Sequence, residues 1–187
     1  MEHMVERVLI SRGCLSKRIR TLAREIVRDY RRAESIQAIA ILKGAAIFSA
    51  DLIRTIFDLN GPPMGIDFIR ASSYRAETES SGKVEILDAL TDNIAGKDVL
   101  IIEDIIDTGL TLNDIKNYIL RHQGVKSLRI CSLLDKPSRR KQPIEIDYIG
   151  FEVPNYFVAG YGTDYAEHFR NLPFVVVLKP SILEGKS

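Results

Sequence analysis

The chain has 187 residues, of which 45% are hydrophobic and 27% charged, and its net charge is +1. That size and composition fit one soluble domain able to bury a core without staples, and the near-neutral balance gives no general pull toward DNA, RNA or an anionic membrane. Cys14 and Cys131 do not make a disulfide framework, His3, His122 and His168 have no metal-type spacing with them, no apolar stretch approaches a span of ~20 residues, and the charged start Met1-Glu-His-Met-Val-Glu-Arg7 has no signal-peptide core. The expectation is a single domain over residues 1–187, in the cytoplasm, with no nucleic-acid or membrane partner.

Leu15, Ile19, Leu22, Ile26 and Tyr30 recur at helical spacing and predict an amphipathic helix over about residues 15–32. The apolar run 36–42 reads as a buried strand. It ends at Lys43-Gly44, and a second helix runs to about Leu59, where Asn60-Gly-Pro-Pro63 stops it. Residues 64–70 read as a strand, the polar stretch 72–82 as a mobile loop, and residues 84–87 as a short strand. Residues 97–103 form the strongest strand pattern in the chain. A loop over 104–109 follows, then a helix from about Thr111 to His122 with Leu112, Ile115 and Ile119 on its apolar side and Gly124 placed for a C-cap. Residues 127–134 read as a strand, 135–143 as a basic loop, and 147–152 and 174–178 as two last strands. Strands alternating with helices predict an α/β fold, a mostly parallel twisted sheet covered on both faces.

The chemistry concentrates after the strand at 97–103. Residues 99–102 are four branched apolar side chains, followed at once by Glu103 and Asp104. Adjacent strand side chains point opposite ways, so the two acids cannot share one core, and they belong at the carboxyl edge of the sheet, where open α/β folds place ligands. Then come Ile105-Ile106-Asp107-Thr108-Gly109-Leu110-Thr111. Gly109 permits a tight turn and close approach to the backbone. The hydroxyls of Thr108 and Thr111 and the free amides of a helix N-terminus make a phosphate cradle. A phosphate beside three carboxylates would be repelled, unless the acids grip sugar hydroxyls or a Mg²⁺ ion instead. A ligand carrying a phosphate, a ribose and a metal-bound pyrophosphate satisfies every group. No Gly-x4-Gly-Lys-Ser/Thr and no Gly-x-Gly-x-x-Gly occurs, which argues against a P-loop or a nicotinamide dehydrogenase.

The frame Glu103-Asp-Ile-Ile-Asp-Thr-Gly-x-Thr111 resembles the signature by which type I phosphoribosyltransferases bind PRPP (5-phosphoribosyl-1-pyrophosphate), in the form found in the hypoxanthine-guanine subfamily. Further stretches match that subfamily in order: Leu42-Lys43-Gly44, Asp67-Phe-Ile-Arg70, Ser73-Tyr74, Leu133-Leu134 with Lys136, Gly150-Phe-Glu-Val-Pro154, Phe157-Val158, Gly160-Tyr161, Asp164-Tyr165 and Phe169-Arg170. The resemblance covers about residues 36–178. It implies the type I phosphoribosyltransferase fold, with a small hood of terminal segments, and a Mg²⁺-dependent transfer of the phosphoribosyl group to a 6-oxopurine.

The resemblance also implies roles. Asp107 would be the general base near purine N7. Glu103 and Asp104 would hold the ribose hydroxyls and, with bound metal, orient PRPP. The segment Asp107, Thr108, Gly109, Leu110 and Thr111, following Ile105 and Ile106, would bind the 5′-phosphate. Lys136 would donate to the exocyclic O6, Phe157 would stack on the base, and the Val158 backbone would meet its edge. Asp164 would hold a second Mg²⁺, through water. Arg170 and the Lys43-Gly44 backbone would bind pyrophosphate, with a cis peptide at that turn. The loop around Ser73-Tyr74 would close over the site and exclude water. A homo-oligomer, dimer or tetramer, is also implied.

Read singly, these residues have plainer roles. Lys136 is one solvated charge in the run with Arg139, Arg140 and Lys141. Phe157 is core, Asp164 the N-cap of a short helix through Phe169, and Arg170 a surface charge. A non-catalytic nucleotide-binding regulator, or an enzyme for another base such as xanthine, uracil, adenine or orotate, shares the fold. Three positions depart from the family pattern: Leu110 stands where some members carry lysine, Ala45 where a second glycine is common, and Thr163 where leucine or a similar residue is usual.

Overall fold

The strand-helix alternation read from the sequence is present in the computed structural model, which describes residues 4–73, 84–88, 90, 93–122 and 124–181. The elements are β1 (Val5–Ile10), α1 (Arg12–Asp29), β2 (Ile36–Leu42), α2 (Ala46–Asp58), β3 (Met64–Ser73), β4 (Val84–Asp88), β5 (Asp98–Ile106), α3 (Leu110–His122), β6 (Ser127–Asp135), a 3₁₀ turn (Pro137–Arg139), β7 (Tyr148–Glu152), β8 (Val158–Ala159) and β9 (Val175–Leu178).

Six strands form one sheet in the order β4-β3-β2-β5-β6-β7. Every neighbouring pair is parallel except β3 with β4. β2, along nearly its whole length, and residues 99–102 of β5 are apolar because both faces are covered there. On one face Ala38, Ala40, Leu100 and Ile102 pack with Leu15, Leu22 and Ile26 of α1 and Phe48, Leu52 and Ile56 of α2. On the other, Ile39, Ile41, Val99 and Ile101 pack with Leu112, Ile115 and Ile119 of α3. The predicted stripe of α1 is buried as read, and the helix lies about three residues earlier than expected. Ser11 caps it by accepting from the Cys14 N–H at 3.3 Å, and Tyr30 is its C-cap.

Two strands run further than expected. β5 continues through Ile106, paired in parallel with β6 as far as Ile106↔Asp135, so Asp104 joins Glu103 in the strand and the loop shrinks to residues 107–109. β3 continues to Ser73, because its polar end pairs antiparallel with β4 from Arg70↔Asp88 to Ser73↔Val84. The loop expected over 72–82 therefore loses its first two residues to a strand. Tyr74 and the rest of that loop lie outside the described residues, as does the Ser73 side chain.

The hood is a second sheet, antiparallel, in the order β1-β9-β8. It joins the two chain ends, with Val5 opposite Leu178 and Ile10 opposite Val175. The chain leaves β2 to one side, toward β3, and returns to β2's other side as β5. The carboxyl ends of β2 and β5 thus flank the switch point where open α/β sheets hold ligands.

Candidate active site

Three turns meet at those strand ends, and two glycines let them touch. β2 runs through a cis Leu42–Lys43 bond into Lys43-Gly44-Ala45. A Cβ on Gly44 would collide with the whole Asp104 carboxyl group, so only glycine leaves that carboxylate its place. Gly162 has φ 105°, and a Cβ there would collide with the Gly44 carbonyl oxygen. Asp104, the Gly44 backbone and the Gly162 backbone are therefore layered in direct contact.

The acidic pair is buried. Glu103 and Asp104 are each 8% exposed. Burial pushes the Glu103 carboxyl well above its ordinary range, and the neighbouring Asp104 charge adds to this. Burial also raises Asp104, against hydrogen bonds and the Arg170 charge that favour its ionised form. Both acids are thus costly to ionise alone.

Gly109 has φ 81°, which makes the sharp turn into α3. The Thr108 hydroxyl oxygen accepts from the Leu110 N–H at 3.4 Å, and the Asn113 N–H donates to the Gly109 carbonyl at 3.0 Å as the helix begins. The basic loop after β6 folds onto this turn. Lys141 and Gln142 donate backbone N–H groups to the Thr108 carbonyl at 3.0 and 3.3 Å. Arg140 donates to the Asp107 carbonyl at 2.8 Å and also pairs with the Asp135 carboxylate. The Arg139 Nε donates to Asp107 Oδ1 at 3.0 Å. Sequence reasoning missed Arg139 and Arg140 as parts of the site, having taken them for solvated charges. The available signal was that the ends of β5 and β6 are neighbours.

A cleft of about 240 Å³ opens here, lined by Asp104, Ile105, Asp107, Lys136, Phe157, Val158, Thr163 and Asp164. All but Thr163 are candidate site residues, and Thr163 is the position where the family pattern is broken. A larger groove, about 1080 Å³ between α1, α2 and residues 171–173, holds none of the candidates. Lys136 is 7% exposed. Its burial lowers the ammonium pKa, the Asp107 charge partly opposing this, so Lys136 is not the freely solvated charge of the plainer reading. Phe157 is 44% exposed at the cleft, edge-on to the Tyr165 ring at 5.5 Å, so it is not core. Val158 is buried in β8, and the Thr163 hydroxyl donates to the Gly160 carbonyl at 2.7 Å.

No helix follows Asp164. Ala166, Glu167 and Phe169 take positive φ (50°, 65° and 73°), which breaks any helical run, and Tyr165 and His168 exchange backbone hydrogen bonds across a tight turn. Asp164 Oδ2 accepts the Glu167 N–H at 2.9 Å, and its Oδ1 pairs with Arg170 Nη2 at 2.9 Å. Arg170 Nη1 donates to the Gly162 carbonyl at 2.8 Å, while its buried Nε has no hydrogen-bond partner among the described residues. Lys43 Nζ pairs with Glu167 at 2.8 Å.

The three acids singled out for metal do not form one cage. Asp104 and Asp164 line the cleft and Glu103 does not, and no group of three or more His, Cys, Asp or Glu converges among the described residues. Mg²⁺ suits such a set, since it keeps several waters and takes one or two carboxylates plus ligand phosphates. Among the described residues no helix is long and apolar enough to cross a membrane.

Residues 12–166 match the phosphoribosyl transferase domain family. The chain is 47% identical over 185 residues to a hypoxanthine-guanine phosphoribosyltransferase of Bacillus subtilis (strain 168), covering 99% of both chains. It is 42% identical over 182 residues to one from Staphylococcus aureus (strain Mu50), covering 97% of this chain and 98% of that one. Among solved structures, a hypoxanthine-guanine phosphoribosyltransferase from Bacillus anthracis superposes with a TM-score of 0.85 at 44% identity, over 94% of this chain and 98% of that one. A hypoxanthine phosphoribosyltransferase from Trypanosoma cruzi superposes with a TM-score of 0.91 at 37% identity, over 97% and 95%. With the signature at 103–111, the switch-point cleft and these relatives in agreement, the chain belongs to the phosphoribosyltransferase family.

Proposed function

We propose that this protein transfers the 5-phosphoribosyl group from PRPP to hypoxanthine or guanine, yielding the nucleoside monophosphate and pyrophosphate in purine salvage. The observation that carries this reading is convergence. Asp104 and Asp107, Lys136, and Phe157 with Asp164 come from three separate stretches of sequence and line one cleft. The purine N9 bonds to the ribose anomeric carbon as the bond from that carbon to pyrophosphate breaks.

Asp107 accepts a proton at purine N7 and offsets positive charge growing on the ring. Lys136, held in the wall, donates to the exocyclic O6 and so selects 6-oxopurines over adenine. The exposed face of Phe157 stacks on the base, and the Val158 backbone meets its edge. Asp107, Thr108, Gly109, Leu110 and Thr111 cradle the 5′-phosphate with amides and hydroxyls. Glu103 and Asp104 hold the ribose hydroxyls. Arg170 and the Lys43-Gly44 backbone hold the pyrophosphoryl group. Asp104, and Asp164 through water, would hold Mg²⁺, which would supply charge neutralisation for the departing pyrophosphate. Ser73 and Tyr74 belong to a segment that shields the reacting carbon from water. The enzyme works as one domain in the cytoplasm, as a homo-oligomer.

The test is direct. Incubation with PRPP, Mg²⁺ and each nucleobase should form nucleotide with hypoxanthine or guanine, and Asp107→Asn should lower kcat by at least ~10²-fold while PRPP binding is largely kept. No turnover with any 6-oxopurine would refute the activity, and unchanged turnover in the variant would refute the role of Asp107.

A further inference from the structure

Glu167 occupies an unusual place for a surface carboxylate. Its Oε2 lies 2.8 Å from Lys43 Nζ, and its Oε1 lies 3.4 Å from Arg170 Nη2. One carboxylate thus spans two cations from opposite ends of the chain, brought together by the Gly44–Gly162 contact. Lys43 belongs to the turn, and Arg170 is the guanidinium, to which the pyrophosphoryl group is assigned above. We propose that Glu167 is a built-in competitor of that group: it pairs with both cations in the free enzyme, and PRPP or pyrophosphate must displace it.

The inference rests on the proposed activity. Two further observations support it. The turn bearing Glu167 is braced by backbone, through the Asp164 carboxylate on the Glu167 N–H and the Tyr165–His168 pair. The Glu167 carboxylate is therefore free to leave without dissolving the turn, and its side chain is 63% exposed. Arg170 keeps its contacts to the Gly162 carbonyl and Asp164 when Glu167 departs, and its buried Nε still lacks an acceptor.

A monoanion with one oxygen on each cation cannot match a multiply charged diphosphate, so the ligand wins, but it wins by less than it would against solvent alone. Exposed ion pairs are individually weak. Two together correspond to an expected tightening of about 3- to 10-fold when they are removed.

The experiment is a calorimetric titration of pyrophosphate with Mg²⁺ into the full-length wild type, Glu167→Gln and Glu167→Ala, paired with steady-state kinetics. Both variants should bind pyrophosphate about 3- to 10-fold more tightly, and KM for PRPP should fall while KM for the base stays within about twofold. Lys43→Gln should weaken pyrophosphate binding more in the Glu167→Gln background than in the wild type, because only there is the ammonium uncommitted. Equal or weaker binding in a Glu167 variant that melts like wild type would overturn the proposal, since Glu167 would then hold the cations in place for the ligand. If one variant fails to fold, the other decides. A wild type that binds no pyrophosphate would overturn the underlying assignment of that group instead, and the two failures are distinct.

Discussion

Gly44→Ala adds a single methyl group at the most crowded point of the site. Its Cβ would lie 2.6 Å from Asp104 Oδ1 and nearer still to Oδ2 and Cγ, where 3.4 Å or more is ordinary contact. Gly44 is not among the positive-φ glycines, so alanine's backbone is permitted and the cost is the collision alone. The carboxylate would have to retreat by about 1 Å. Asp104 is buried, with the Gly44 backbone on one side and the strand behind, so that retreat means off-rotamer strain or a shift of the 43–45 turn. Overpacking of this kind costs about 1–3 kcal/mol. In a chain of this size that is a fall in Tm of roughly 2–12 °C.

A double-mutant cycle isolates the cause. Asp104→Ala removes every atom in the collision, so adding Gly44→Ala to it should cost under about 0.5 kcal/mol, leaving a coupling above ~0.5 kcal/mol. Urea unfolding of the four proteins measures it. KM for PRPP in Gly44→Ala should also rise, because the displaced carboxylate is one that lines the cleft. Additivity within about 0.5 kcal/mol would refute the layered packing of Asp104, Gly44 and Gly162.

Two further outcomes follow from charge. Asp29, at the end of α1, accepts from Arg28 at 2.9 Å, Arg129 at 2.9 Å and Tyr148 at 3.1 Å, and chiefly the Arg28 bond lowers its pKa below 3.8. The stability this gives is present above 3.8 and is lost as pH falls through the depressed value, so Asp29→Asn should cost about 1–2 kcal/mol at pH 7 and nothing in strong acid; a deficit independent of pH in thermal melts would refute it. Lys136 is lowered from 10.5 chiefly by its burial, so its donating form is lost earlier than an ordinary lysine's; KM for hypoxanthine should climb on the alkaline side before pH 10.5, and a flat profile up to that pH would count against the O6 contact.

What was legible in the sequence is what periodicity and clustering encode. The α1 stripe, the apolar runs of β2 and β5, and the acid-rich frame at 103–111 each carry their signal within a few consecutive residues. β1 does not. Its burial comes from pairing with β9, a partner at the far end of the chain, and its own pattern is mostly exposed. β8 is two residues long and has no pattern to show. The extra length of β5 was hidden because acids usually end a strand, whereas here pairing with β6 carries the backbone on to Ile106. Arg139, Arg140 and Glu167 were invisible for the same reason. Each acts through a neighbour that only the sheet order or the Gly44–Gly162 contact supplies.

Leu110 shows how the site works as a whole. A lysine there would put a cation beside the 107–109 turn, and leucine cannot. The positive charge arrives from the next loop instead, with Arg139 on the Asp107 carboxylate and Arg140 on the Asp107 carbonyl. At the Asp164 side of the cleft a second guanidinium, Arg170, stands with Lys43 nearby. Guanidinium groups thus pair with the cleft-lining carboxylates Asp107 and Asp164, and a further acid, Asp104, lies buried against the Gly44 turn. A ligand with one phosphate would meet only half of this arrangement and be repelled by the acids beside it. A ligand with phosphate groups at both ends, and hydroxyls or a bound cation between them, turns each of those repulsions into a contact. The charge pattern thus fits a sugar phosphorylated at both ends, and it explains why the acids and the cations are interleaved.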